Sequence, residues 1–550
     1  MRRRLVVAAA VSVVGMGAVA ATGLGAGRHA GNPPARHPVA HRASFRPGNL
    51  LVSRSVYDSN AANVTVGAAL PTGPAAIANG AYPLVWNNNT VDGSFGVTSP
   101  IFLDQLTPSG THISSIEVPN SLEAGVASTS DQMVTSFSSK SELALNLATN
   151  DQSVSFMGYL APVDALDVSN SNTPGVIDPT NPVTGAYYRV VAQLGQDGKF
   201  HFTTTNAYSG NNGRAAIFNA AADVFYTAGN AGNGGNPQPN GLIESTGAQI
   251  LSRVLAPERA QTPAAPTAVG SFNVSQLGGA EDKVGKDTNF RGETIFNHVL
   301  YFTKGSGSNG VNTVYFVDTT GKACAIGGVG IPQPGAKLPT AGLAYNPALV
   351  SSEGLTPYNM CILKGFPTTL AKSATAFPFG IWFANRTTLY VADEGNGTDT
   401  YDGTTATYAA AAAQTTAGLQ KWVFDASTGS WKLAYALQNG LDLGQPYTVA
   451  DYPVGTNPVT GLPWAPATDG LRNITGRVNG RGTVTIWAIT STVSGNGDQG
   501  ADPNKLVAIT DRLATARLPA AEKFRTVDAA GYGAVLRGVS FTPGTKLSQR

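Results

Sequence analysis

Three arginines occur in similar settings, in Gly213-Arg-Ala-Ala, Leu471-Arg-Asn-Ile and Leu536-Arg-Gly-Val. Each stands at or just before an apolar run with the character of a β-strand. If these strands share one rim, Arg214, Arg472 and Arg537 could grip a carboxylate or phosphate, because the guanidinium fork matches such groups. The competing expectation is that they cap turns and pair with aspartates. A second group, Asp393, Glu394, Asp399 and Asp402, falls in one loop rich in Gly, Asn and Thr. Oxygen ligands at that density suit Ca²⁺, although the spacing is not that of an EF-hand. Asp498 and Asp502 form a weaker version. The plainer reading of both is a solvated acidic loop. Among the tryptophans, Trp382, Trp422 and Trp487 lie inside strands and read as core. Trp86 and Trp464 lie in loops and read as surface residues that could stack on a sugar.

Beyond these, local chemistry is sparse. His112, His201 and His298 are isolated, and no H-x-H or H-E-x-x-H spacing exists. No serine sits in G-x-S-x-G, and neither phosphate-binding glycine motif occurs. No catalytic residue and no resident cofactor is expected, Ca²⁺ being the one ion for which ligands could be named.

The elements that must position these residues are short. From Gly48 onward, apolar runs are separated by Gly, Asn, Asp, Pro or Ser. The runs recur as a unit of strand, polar excursion and strand ending in Asp. Examples are Leu300-Tyr-Phe-Thr with Val314–Asp318, Leu389–Asp393 with Gln420–Asp425, and Ile486–Thr490 with Leu506–Asp511. Being apolar nearly throughout, each strand suits a sheet covered on both faces, as a propeller blade is. Sorting the runs gives an all-β fold, a single β-propeller of about six four-stranded blades, seven being the alternative count. One blade is split between the chain ends. Leu50–Arg54, Ile101–Asp104 and His112–Val118 lack an innermost strand, and Leu536–Phe541 lacks a blade. Pairing them would close the ring and remove two exposed edges. Asp511–Leu518 reads as a short helix ended by Pro519.

Pro100-Ile-Phe-Leu-Asp-Gln-Leu-Thr-Pro-Ser-Gly110, Tyr208-Ser-Gly-Asn-Asn-Gly-Arg214, Pro378-Phe-Gly-Ile-Trp-Phe-Ala384, Leu389-Tyr-Val-Ala-Asp-Glu394, Gly418-Leu-Gln-Lys-Trp422 and Leu536-Arg-Gly-Val-Ser-Phe-Thr-Pro543 carry a resemblance. Over roughly 48–543 the chain resembles a group of uncharacterised secreted bacterial β-propeller proteins. The resemblance implies the fold and no reaction. Some members of that group end in a C-terminal sorting segment, whereas this sequence ends in Lys546-Leu-Ser-Gln-Arg550.

Composition agrees. Charged residues are 13% of 550, well below the usual quarter, while Gly numbers 64 and Pro 34. The net charge of +2 leaves no footprint for nucleic acid. Arg2–Arg4, the apolar stretch Leu5–Gly17 and Ala18-Val-Ala20 read as a cleavable export signal. An uncleaved anchor is the rival reading, and no later stretch is apolar enough to span a membrane. The expected domains are a signal at 1–20, a tail at 21–47, the propeller at 48–543 and a C-terminal tail at 544–550. Cys324 and Cys361, in an exported chain, are expected to pair. The functional expectation is a secreted, monomeric, non-catalytic binding or scaffold protein. Its contacts, with an extracellular protein or a carbohydrate, lie on loop faces or at the channel mouth. The alternative is a hydrolase or lyase whose channel-mouth site is assembled from several blades.

Overall fold

A computed structural model describes residues 44–90, 95–120, 133–230, 247–253, 269–272, 289–305, 310–324, 328–341 and 360–547. The expected export signal lies outside these residues. Six sheets of four strands or more, antiparallel except for one short outer strand of the fourth, follow one another along the chain, as in a six-bladed propeller. Blades 2 to 6 begin with innermost strands Asn146–Leu147, Gly213–Asn219, Phe290–Phe296, Pro378–Asn385 and Ala467–Val478. Blade 1 takes Leu50–Val56, Ile101–Leu106 and His112–Glu117 from the N-terminal side and its innermost strand, Ala534–Phe541, from the C-terminal side. The register runs from Leu50 opposite Phe541 to Val56 opposite Ala534. The ring therefore closes between the chain ends as the strand count requires, and all eight residues of the closing strand are buried. Phe45 is buried against this blade, and the Gly48 amide donates to Thr545 Oγ1 at 2.8 Å.

Blades pack through their strand faces, which is why the strands are apolar on both sides. Between blades 4 and 5, Phe296 stacks on Phe383 at 4.6 Å between ring centres. Between blades 5 and 6 a buried Lys421–Asp511 pair, 2.9 Å apart, is bonded by the hydroxyls of Tyr390 and Tyr435. Lys505–Arg512 is the third strand of blade 6, and the residues after it form turns rather than the expected helix. Pairing with the neighbouring strand Thr483–Val493 decides the conformation of that segment. Cys324 and Cys361 form a disulfide with Cα atoms 5.5 Å apart, tying an excursion of blade 4 back to its sheet.

Because neighbouring strands are antiparallel, connections leave alternately from the two ends of the ring. The connections from innermost to second strand are tight, such as 220–223, 297–298 and 386–387. The long ones, including 57–97, 160–188, 394–417 and 438–466, emerge together at the opposite end. Two of them share an aromatic core of their own. Trp86 stacks on Phe137 at 5.6 Å, and Tyr452 meets Tyr82 at 6.0 Å and Trp464 at 6.4 Å. Trp86 is fully buried and Trp464 nearly so, which corrects their reading as surface residues. A loop long enough to fold on itself buries its own aromatics, and chain position between turn residues does not reveal that.

Candidate functional site

At the loop-rich end the innermost strands carry a repeated irregularity. The ladder slips at Arg214 between Gly213 and Ala215, at Arg291 between Phe290 and Gly292, and at Arg537 between Leu536 and Gly538. In blade 6 it slips across Arg472-Asn473, and in blade 5 across Phe379-Gly380. A β-bulge re-aims the extra residue away from the regular pleat. Four of the six blades use that bulge to bring an arginine to the same level of the ring.

Neighbouring blades touch at that level. Ala144 N–H donates to Arg214 O at 3.3 Å, Arg214 Nη1 to Phe290 O at 2.8 Å, and Asn473 Nδ2 to Arg537 O at 3.1 Å. At the other three junctions glycine permits the approach. A Cβ on Gly292 would strike Phe379 O, one on Gly380 would lie 2.6 Å from Arg472 O, and one on Gly538 would strike Leu143 O. These six contacts form a girdle that divides the channel. Below it lies a cavity of about 250 Å³ bounded by the lower halves of the innermost strands. Above it lies a chamber of about 700 Å³ with no lining residue in common with the lower one.

Every residue of the upper chamber's wall except Gly497 carries a polar or charged side chain. Asn170, Asn211, Asn212, Asn230, Asn289 and Asn496 dominate it, interspersed with serines. Lys140, Arg214 and Arg291 bring positive charge, and Asp399 and Asp498 bring negative charge. Arg214 is 4% exposed; its Nη1 is held by Asn289 Oδ1 and Phe290 O, and its Nε has no partner. Burial and the neighbouring Arg291 push Arg214 down from its ordinary range. A guanidinium nevertheless stays protonated near neutral pH, so its charge is fixed.

One carboxylate anchors the cations. Glu394 lies 3.4 Å from Arg472, 3.5 Å from Arg291 and 3.8 Å from Lys140. Burial opposes its charge, yet Lys140 and the three arginines around it hold it below the ordinary carboxylate range. Asp498, in contrast, is pushed up by burial to about 6 despite its bond from Gly500 N–H.

The arginines singled out from sequence thus share one level of the ring, in unequal roles. Arg214 lines the chamber. Arg537 donates to the carbonyls of Phe137 and Ser139, and Arg472 is engaged with Glu394, so both tie neighbouring blades. Arg291 and Lys140 were missed. Phe290-Arg-Gly292 carries the same signature as Leu536-Arg-Gly538 and could have been found by it; Lys140 lies in a serine-rich loop with no such mark.

The acidic loop does not converge. Asp393 accepts from Phe377 N–H, Gly395 N–H and Gln420 Nε2, and burial pushes it up to about 7. Glu394 joins the cation cluster, Asp399 lines the chamber, and Asp402 closes a turn by accepting from Thr404 N–H. Asp502 turns away from Asp498 into the aromatic core, bonded by Tyr452 and Ser494, and burial pushes it up to about 7. Among the described residues, no three His, Cys, Asp or Glu side chains lie together as metal ligands would. Strand alternation sends the successive carboxylates Asp393 and Glu394 to opposite faces, and Asp399 and Asp402 lie further along the connection.

No family model matches the chain, and no curated protein matches it. Solved structures do. A mutant of the Synechocystis apocarotenoid oxygenase is 8% identical, covering 81% of this chain and 72% of its own, with a TM-score of 0.30. Extracellular domains 1–2 of Drosophila Semaphorin 1a are 11% identical over 77% and 84%, with a TM-score of 0.27. An ulvan lyase is 10% identical over 90% and 97%, with a TM-score of 0.28. At these values the likenesses carry no argument about activity.

Proposed function

We propose that this chain is an extracellular binding propeller whose ligand is a small polar molecule held in the upper chamber. The observation that carries the reading is the chamber wall itself. Among the described residues it is polar but for one glycine, it carries Lys140, Arg214 and Arg291, and long loops of the ring frame it. Rigid scaffolds that present loops at one end are a recurrent way of building a binding surface. Binding rather than chemistry is favoured by how the cations are held. Arg214 is fixed to the next blade and Arg291 is paired with Glu394, and a guanidinium offers standing charge and not a proton that moves. The disulfide supports a place outside the reducing cytoplasm.

Saturation-transfer NMR on a library of polar small molecules tests this. Ligands should register with the native protein and disappear in Asn211→Trp, which fills the chamber from its wall. Ligands that persist in that variant, or library members that are converted instead of bound, would overturn the reading.

A further inference from the structure

The chemistry of the wall narrows the ligand class, an inference that rests on the binding reading above. We infer that the chamber accepts a single sugar-acid residue, a polyol ring bearing one carboxylate. Three features of the wall lead there.

The first is the positive charge on the wall. Arg214 lines the chamber, held in place by the bonds of its Nη1 to Asn289 Oδ1 and Phe290 O. A carboxylate is the ligand group that matches a fixed guanidinium, and charge-assisted bonds of this kind are about twice as strong as neutral ones. Lys140 stands on the same wall and adds a second positive charge.

The second is the remainder of the lining. Amides and hydroxyls both donate and accept, so they match vicinal hydroxyl groups, which do the same. Among the described residues, the wall contains no aromatic or aliphatic side chain. A nucleobase would find nothing to stack on, and a lipid or aryl group would gain nothing from entering.

The third is the negative charge on the same wall. Asp399 and Asp498 share the chamber with the cations, Asp498 within electrostatic reach of Lys140. The cations can meet one carboxylate. A polyphosphate or polysulfate would bring further negative charges against Asp399 and Asp498. A bare oxyanion would satisfy Arg214 but leave most of an approximately 700 Å³ chamber in water. That volume lies within the usual range of small-molecule sites.

The two sources of such a residue are the free sugar acid and the end of an acidic saccharide. Titration calorimetry of the full chain with D-galacturonate, D-galactose, digalacturonate and sulfate separates them. D-galacturonate and D-galactose differ only at C6, as carboxylate against hydroxymethyl. The acid should bind roughly tenfold or more tighter than the neutral sugar, the effect of one charged hydrogen bond. Sulfate should bind weakly if at all. Digalacturonate binding more tightly than the monomer identifies a chain end as the source, and equal binding identifies the free acid. Arg214→Gln should abolish the preference for the acid. Since Arg214 also ties two blades, Lys140→Met, on the loop side, serves as the second variant and should weaken the acid while leaving D-galactose unchanged. Equal affinity for acid and neutral sugar, sulfate binding as tightly as the acid, or no binding of either sugar acid would overturn this inference. In each case polar ligands found by NMR and lost in Asn211→Trp would still uphold the broader reading.

Discussion

Deleting Val535–Arg550 is expected to leave the whole ring unfolded, not one blade frayed. The deletion removes nearly all of the innermost strand of blade 1, which pairs with Leu50–Val56 over its full length. Val535, Leu536, Val539 and Phe541 are each no more than 2% exposed, and burying side chains of this kind stabilises by about 1.5–3 kcal/mol apiece. Their sum rivals the 5–15 kcal/mol, roughly, by which a typical protein is stable. The strand also supplies bonds to three other parts of the ring, through Arg537 to Ser139, Asn473 to Arg537 and Asn504 to Leu536. The opened ring would expose two unpaired sheet edges, which favours aggregation. Expression followed by limited proteolysis and melting measures the outcome. A soluble product with an unchanged melting temperature would contradict closure as the source of stability.

Glu394→Ala is expected to be the most damaging single substitution at the site. It removes the carboxylate shared by Arg291, Arg472 and Lys140, which reach it from blade 4, blade 6 and the loop before blade 2. Breaking a buried ion pair by removing one partner costs about 3–5 kcal/mol, because charge is left buried without its counter-ion. In a chain this long that lowers the melting temperature by roughly 3–5 °C, since the entropy of unfolding grows with length. Glu394→Gln keeps the shape and should lie between the native protein and the alanine variant. Added D-galacturonate should raise the melting temperature of Glu394→Ala more than that of the native protein, by returning a carboxylate to the cluster. A melting temperature within 1 °C or so of the native value would mean that solvent already screens these charges.

Much of the fold was legible because a propeller repeats its grammar. Blades 4, 5 and 6 repeat a strand, a polar excursion and a strand ended by Asp, and a count that left one strand short at one end and one over at the other required closure. Asp318 shows why the terminal Asp recurs: its carboxylate accepts from Thr320 and Ala323 N–H and closes the turn. The site was half legible. Arg214, Arg472 and Arg537 are visible because bulges recur at one position of the repeat, and Arg291 follows the same rule. Glu394 was visible as a carboxylate but assigned to the wrong partners. Its neighbours Asp393 and Asp399 are close in sequence, whereas Arg291 and Arg472 reach it only through the ring. Lys140 and the asparagine wall come from loops of different blades, and no local pattern announces a surface assembled that way.

The central claim is that the chamber above the girdle, and no other part of the ring, holds an acidic polar ligand. Hydrogen–deuterium exchange of the native protein with and without D-galacturonate measures this most directly. Protection is predicted in the four segments that form the wall, 138–141, 211–214, 289–291 and 496–499. Protection confined to the lower cavity around 292–296 and 473–478, or an exchange pattern that the ligand leaves unchanged, would contradict it.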